Sequence, residues 1–437
     1  MTVKVIGAGL AGCEAAHILS KKGIKVELHE MKPQSYSPAH KLPTFAELVC
    51  SNSLKAERFG SAAGLLKWEM EYLGSLTVPL AKKNAVPAGG ALAVDRVLFS
   101  EQVTEVIKSD PNITVVTGEV ENIDPDEYTI IATGPLTSGR LADSLKALCG
   151  EEYLSFYDAA APIVTADSID MEHAFFASRY DKGDGDDYIN CPLNKEEYEA
   201  FVSALVSAER ALLHENDMGL KVYEGCMPIE VLASRGTDAI RFGPMKPVGL
   251  KDPKTGHRPW AVLQLRKETK QAEMYNLVGF QTNLKFGEQK RVFGMIPALS
   301  HAEYVRYGVM HRNSFIDSPR VLNSDFSMKK HPKVSFAGQI SGVEGYMESA
   351  ASGIAAAFFM AAAINGEQLP PFPDITMIGA LSRYISDGSV KDFQPMGANF
   401  GILPPLPTAI RDKKERYNLL AERSAKWFSD NVRSEEK

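Results

Sequence analysis

Two glycine-rich turns, one near each end of the chain, constrain the fold more than any other feature. The sequence opens VIGAGLAGCEAA, with Gly7, Gly9 and Gly12 spaced G-x-G-x-x-G after a short apolar run. From residue 333, KVSFAGQISGVEGYMESAASGIAAA repeats the order of strand, glycine turn and small-residue helix. One nucleotide-binding half at residue 3 and another at residue 333 imply a single large cofactor held by both ends of the chain. At 437 residues the chain is too long for one simple core and suits two or three domains.

The first turn has a mechanical reading. Residues 3–6 form a short buried strand and Gly7 makes the tight turn. Gly9 lets the backbone approach a pyrophosphate, and Gly12 lets the next helix, expected over residues 10–22, pack on the strand. That helix aims its first N–H groups at the phosphates. Residues 25–30, KVELHE, form the second strand, and Glu30 ends it where an acidic side chain takes ribose hydroxyls. The expected contacts from this half are Gly7, Ala8, Gly9, Leu10, Ala11, Gly12 and Glu30. The remainder of the chain favours FAD over NAD. YTIIATG at 128–134 is an apolar strand ending in a turn at Gly134 of the kind that meets a flavin cofactor. Phe336-Ala337-Gly338-Gln339 resembles the C-terminal flavin segment, with a helix expected from about Ser349. Gly338, Gln339, Ile340 and Gly345 are the expected contacts there. No second G-x-G-x-x-G occurs, so NADPH or NADH would reduce the flavin as a visitor without a domain of its own.

The expected fold class is α/β: a two-part Rossmann-like FAD-binding domain, residues 1–160 and 325–437, with a mixed α/β insertion at 161–324 that carries substrate. Within it, a helix is expected over 95–108 and strands over 113–117, 161–165 and 261–265, while the prolines at 33, 38 and 43 mark a loop. The acidic run 181–187 lacks the EF-hand glycine at its sixth position and reads as a solvated turn. The most apolar stretch, 354–364, falls short of the ~18–20 residues of a membrane span. A strand starting at residue 3 leaves no room for a signal peptide, so a cytoplasmic protein without a membrane partner is expected. A monomer or weak dimer is expected, and no metal site.

The chain has five cysteines, with no C-x-x-C or zinc spacing, as expected of reduced thiols. Cys13, Cys149 and Cys191 read as inert core residues. Cys226 lies in a turn between Gly225 and Pro228, with Glu224 and Glu230 nearby, and suits an accessible thiol. Cys50 precedes Ser51-Asn52-Ser53, a polar turn able to cap a helix or line a pocket. The net charge of −7 argues mildly against nucleic acid. Residues 241–270 reverse this locally, with Arg241, Lys246, Lys251, Lys254, Arg258, Arg266, Lys267 and Lys270 against two acids. On charge alone, an RNA-backbone contact and a solvated loop both stand.

Several blocks then resemble one family: HKLPTFAELVCSNSLKAE, YEGCMPIEVLASRG, RFGPMKPVGL, VGFQTNLKFGEQKRVF, RYGVMHRN, FAGQISGVEGYMESAASG and FQPMGANFGILP. From the first strand to about Pro405 the chain is similar to the folate- and FAD-dependent tRNA (uracil-5-)-methyltransferases (TrmFO), relatives of the glucose-inhibited division protein A flavoproteins. The resemblance implies formation of 5-methyluridine in the tRNA T-loop, with 5,10-methylenetetrahydrofolate giving the carbon, tetrahydrofolate leaving, and NADPH or NADH supplying electrons through FAD. It implies that Cys226 adds to carbon 6 of uracil, that Cys50 works beside the flavin, and that Tyr346 lies near the flavin and orients substrate. His311, Arg312 and Asn313 are assigned to folate or RNA, and Lys251 and Lys254 to RNA. The chain departs from the family at Gly397, where asparagine is common. The same chemistry on ribosomal RNA, a plain flavin oxidoreductase, and a flavin-containing RNA-binding protein without turnover are the alternatives.

Overall fold

The computed structural model describes residues 1–150, 153–181, 187–211, 227–390 and 393–432. Strands β1 (Thr2–Ile6), β2 (Lys25–Glu30), β6 (Ile113–Thr117), β7 (Thr129–Ile131) and β16 (Val334–Phe336) form a parallel sheet in the order β16-β7-β1-β2-β6. Such a sheet needs cover on both faces. The helices Leu10–Lys21 and Tyr346–Ile364 pack on each other through small residues. Gly353 permits their close approach, since a Cβ there would lie 2.1 Å from the Ala11 carbonyl oxygen, and Gly12 lets the first helix sit on the turn, where a Cβ would lie 1.8 Å from the Gly7 carbonyl oxygen. One apolar core joins residues from Val3 to Cys149 with residues from Phe315 to Phe428, so the two ends of the chain fold as one body.

β3 (Ser53–Ala56), β4 (Ala85–Val86) and β5 (Ala91–Val94) make a small antiparallel sheet beside this body. A ribbon of β8 (Tyr153–Ala159) and β15 (Met310–Ile316) leads to a second, antiparallel sheet. Its strands are β9 (Ile163–Thr165), β10 (Phe175–Phe176), β11 (Tyr188–Leu193), β12 (Ala261–Lys267), β13 (Met274–Leu277) and β14 (Tyr304–Arg306), ordered β10-β11-β12-β13-β9-β14. A separate core, running from Val164 to Ala302, packs against it.

Several elements differ from their sequence expectation. The helix expected at 95–108 runs Arg96–Ser109, because the Asp95 carboxylate caps it by accepting from the Val97 and Leu98 N–H groups, each at 3.1 Å. The strand expected at 161–165 begins at Ile163, and 128–134 contracts to Thr129–Ile131. The strand expected at 261–265 continues to Lys267, because β11 pairs Tyr188 with Arg266. The helix expected from Ser349 starts at Tyr346, directly after Gly345 at φ 120°. That helix also corrects the expectation of a short apolar stretch: Tyr346–Ile364 is 19 residues with mean hydropathy 1.5. Its length would cross a membrane, but 78% of it is buried inside the protein against its helical neighbours. Most of the acidic run, 182–186, lies outside the described residues.

Candidate functional site

β1, β7 and β16 are neighbours and run the same way, so the turns that follow them come together at one edge of the sheet. In open α/β sheets ligands bind there, in the crevice beyond the carboxyl ends of the strands. The turn after β1 is shaped by Glu30. Its Oε2 accepts from the Ala8 N–H at 2.8 Å and its Oε1 from the Lys32 N–H at 3.0 Å, so this buried carboxylate fixes the turn from within. Gly9 is the N-cap of the helix Leu10–Lys21 and gives it no side-chain cap, and a Cβ at Gly9 would meet open space. A helix start without a side-chain cap, beside the open space at Gly9, suits a pyrophosphate, so these residues fit a dinucleotide. Leu10 and Ala11 are buried in the first turn of the helix, beneath that opening.

From the other half, the Gly338 N–H donates to Ser352 Oγ at 2.7 Å, Gln339 Nε2 donates to Glu344 Oε2 at 2.7 Å, and Ile340 is buried. Gly134 sits at φ 72° after β7. Gly345 turns the chain into the helix at Tyr346, and a Cβ there would lie 2.2 Å from Glu348 Oε2. Glu348 is buried. Its Oε1 pairs with Lys55 Nζ at 2.7 Å and accepts from the Ala398 N–H at 2.8 Å, while Oε2 has no hydrogen bond among the described residues. A Cβ at Gly397 would lie 3.4 Å from that Lys55 nitrogen, so the position where the chain departs from the family it resembles falls on this ion pair.

The loop at residues 48–52 lies against the same helix start. The Tyr346 hydroxyl accepts from the Cys50 N–H at 2.7 Å and from the Ser51 N–H at 3.2 Å. Tyr346 is half-buried, with its hydroxyl turned inward onto the loop. Burial, and then the neighbouring Cys50, push that hydroxyl above the usual tyrosine range. Cys50 is itself half-buried. Ser51-Asn52-Ser53 does not cap a helix. It leads into β3, with Asn52 fully buried and its Nδ2 donating to the Val94 and Lys267 carbonyls at 3.0 and 2.8 Å.

Three arginines that sequence reasoning did not assign here converge on this loop. Arg266 Nε donates to Asn52 Oδ1 at 2.8 Å and its Nη2 to Ser51 Oγ at 2.7 Å. Arg96 Nη1 donates to the Leu48 carbonyl at 3.0 Å, and Arg306 donates to the Val49 carbonyl. Glu268 stands 2.5 Å from Arg96 as an ion pair outside hydrogen-bond geometry. Burial lowers both Arg266 and Arg306 from the usual arginine range. One signal was present: Arg306 opens the block RYGVMHRN, of which only the last three residues were singled out.

The other expected residues are placed as follows. His311 and Arg312 lie in β15, opposite Asp158 and Tyr157 of β8. Asn313 follows them, 3% exposed, with an Nδ2 that finds no partner among the described residues. Cys226 lies outside the described residues. Cys13, Cys149 and Cys191 are buried, and burial raises all three thiols, Cys149 to about 12. Glu230 is buried, with its carboxylate accepting from Thr282 Oγ1 and the Asn283 N–H, each at 2.8 Å.

The basic segment also divides. Arg241 stacks on Trp260 with its guanidinium carbon 3.8 Å from the ring centroid, and Arg266 is buried. Lys246, Lys251, Lys254, Arg258 and Lys270 are exposed. Lys254 donates to the Glu172 carbonyl, and Lys270 to the Lys83 carbonyl at 3.2 Å. Among the described residues, no cluster of three or more His, Cys, Asp or Glu could hold a metal ion.

A parallel sheet whose two terminal halves share one ligand edge, interrupted by an antiparallel insertion, defines a two-part Rossmann-like dinucleotide-binding protein. Residues 2–368 match the model of the family described as glucose inhibited division protein A, and the chain belongs to that family. It is 56% identical over 430 residues to a protein of Acetivibrio thermocellus described as methylenetetrahydrofolate–tRNA-(uracil-5-)-methyltransferase TrmFO, covering 98% of each. A protein of the same description from Listeria monocytogenes serotype 4b is 57% identical over 423 residues, with 97% of each covered. The solved structure of Aquifex aeolicus GidA in its form II crystal superposes with a TM-score of 0.72 at 15% identity, over 98% of this chain and 73% of that one. That likeness concerns the fold.

Proposed function

We propose that the chain is a methylenetetrahydrofolate- and FAD-dependent tRNA uracil-5-methyltransferase. The observation that carries this reading is identity of more than half the residues, over nearly the whole length, to proteins named for that activity. The FAD pyrophosphate would rest on the turn from Gly7 to Gly12 and on the uncapped helix start, and the isoalloxazine would lie near Gly338, Gln339, Ile340, Gly345 and Tyr346. When bound, FAD supplies the two electrons, drawn from NADPH or NADH, that turn a methylene into a methyl group. Cys50, on the loop held by Tyr346, would work beside the flavin. Asn313, buried with an unused donor, supports the assignment of His311, Arg312 and Asn313 to the folate, where an amide can recognise a pterin edge.

Cys226 is the nucleophile toward RNA. Its thiolate adds to carbon 6 of uracil and the electron pair moves to carbon 5, which takes the one-carbon unit. Loss of the carbon 5 proton and of the unit's carrier leaves an exocyclic methylene, and a hydride delivered to that carbon makes the methyl as the sulfur departs and the ring is restored. Lys251 and Lys254 are exposed and suit RNA phosphates. The enzyme would act in the cytoplasm as a monomer or weak dimer, without a membrane partner.

The test is a tRNA transcript incubated with the flavin-loaded protein, labelled methylenetetrahydrofolate and NADPH, followed by nucleoside analysis. Label in 5-methyluridine that requires all three components is the expected result. Reduction of the flavin by NADPH with no label in RNA, from a transcript or from ribosomal RNA, would leave a plain oxidoreductase.

A further inference from the structure

Every residue from 48 to 52 is held from outside the loop. Arg96 takes the Leu48 carbonyl, Arg306 the Val49 carbonyl, Tyr346 the Cys50 N–H, and Arg266 both the Ser51 and Asn52 side chains. Neutral donors could make these bonds to carbonyls and hydroxyls. The use of three guanidiniums is therefore not explained by hydrogen bonding alone, since burying charge is unfavourable unless charge answers it. Arg266 is only 6% exposed. One carboxylate, Glu268, stands among the three, and it is engaged with Arg96. Tyr346 and Tyr188 also face the cluster, and burial holds both hydroxyls above the usual tyrosine range and so neutral. Among the described residues that act on Arg266 and Arg306, the remaining group that can carry negative charge is Cys50, which lies within electrostatic reach of both.

We propose that Arg306 and Arg266 are positioning residues for Cys50, whose guanidiniums hold its sulfur as the thiolate at neutral pH. Both lie on the inserted sheet, Arg266 on β12 and Arg306 on β14, whereas Cys50 belongs to the body formed by the chain ends. Seating the insertion against that body thus makes the thiol reactive, and a protein whose insertion is displaced carries an ordinary, protonated Cys50. The inference rests on the reading of Cys50 as a working thiol.

The test is the rate of Cys50 alkylation by iodoacetamide in the flavin-loaded protein, read by peptide mass spectrometry between about pH 5 and pH 10. In the wild type the rate should reach half its maximum at least about one pH unit below the ~8.5 of an ordinary thiol. Arg306→Met should move that midpoint up by about one unit, slowing alkylation at pH 7 roughly tenfold. Arg306→Lys, which keeps a charge and a donor for the Val49 carbonyl, should stay near the wild-type profile. Arg266→Gln, which keeps a donor for Ser51, gives the same comparison by a second route if Arg306→Met does not accumulate. Methionine and lysine variants that both lose thermal stability while the midpoint stays in place would make Arg306 a structural clasp and overturn the proposal. A wild-type midpoint near 8.5 or above, or no alkylation of Cys50 at any pH, would also overturn it. Because alkylation is read without RNA or folate, a lowered midpoint alongside absent RNA methylation would bring down the functional reading and leave this inference standing.

Discussion

At the scale of single residues, the site depends on polar groups that each serve two partners. The Tyr346 hydroxyl accepts from two successive N–H groups of the Cys50 loop. Tyr346→Phe leaves both without that acceptor, which costs roughly 1–3 kcal/mol. Urea unfolding should show a loss of that order, accompanied by a changed flavin spectrum. An unchanged midpoint and spectrum would mean the hydroxyl is not what holds the loop. Glu30 is the corresponding residue of the pyrophosphate turn, bonded to the Ala8 and Lys32 N–H groups. Glu30→Ala removes charge-assisted bonds worth about 1.5–3 kcal/mol, so FAD retention should fall about ten- to a hundredfold in equilibrium dialysis. Retention equal to wild type would show that the turn keeps its shape without the carboxylate.

At the scale of elements, a buried carboxylate joins three helices. Glu69, in the helix Ala62–Tyr72, accepts from the Met377 and Ile378 N–H groups that start the helix Met377–Ser386, and from Ser424 Oγ in the helix Lys413–Asn431. Burial raises its pKa from 4.5 to about 7 despite those donors. The folded protein therefore binds more protons than the unfolded chain between these values, and Glu69 makes stability fall as pH rises through that window, by roughly 3 kcal/mol in all. Denaturant unfolding at several pH values should show that decline in the wild type. Glu69→Gln, less stable at low pH because it loses an acceptor oxygen, should show a flatter profile, and an equally steep one would assign the pH dependence elsewhere. Such helix junctions were not legible in the sequence, whereas the Rossmann turns were. Gly7, Gly9, Gly12 and Glu30 act through local spacing, which a linear sequence displays. The arginine cluster joins positions 96, 266 and 306 to residues 48–52 through tertiary docking. It also required β12 to run two residues past Leu265, an extension fixed by pairing with β11. Tyr346 and Cys50 were each visible as candidates, but their direct hydrogen bond was not.

At the scale of the whole molecule, one body built from both chain ends holds the cofactor turns, and the antiparallel insertion carries the exposed lysines proposed for RNA. Reversing Lys251 and Lys254 to Glu should weaken tRNA binding and reduce the slope of log affinity against log salt by about one per lysine, with the flavin spectrum unchanged. Unaltered affinity and slope would make those lysines plain solvated surface. The two cysteines are proposed to divide the labour, with Cys50 serving the flavin body and Cys226 attacking the base. The most direct measurement uses tRNA with 5-fluorouridine at the target position, because fluorine does not leave as the proton does and the protein–RNA adduct is trapped. With methylenetetrahydrofolate and NADPH present, the wild type should give a denaturation-resistant protein–RNA band and Cys226→Ala none, with its FAD and tRNA binding retained. Capture by Cys226→Ala at the wild-type level, with loss of the band in Cys50→Ala instead, would overturn that division and make Cys50 the nucleophile.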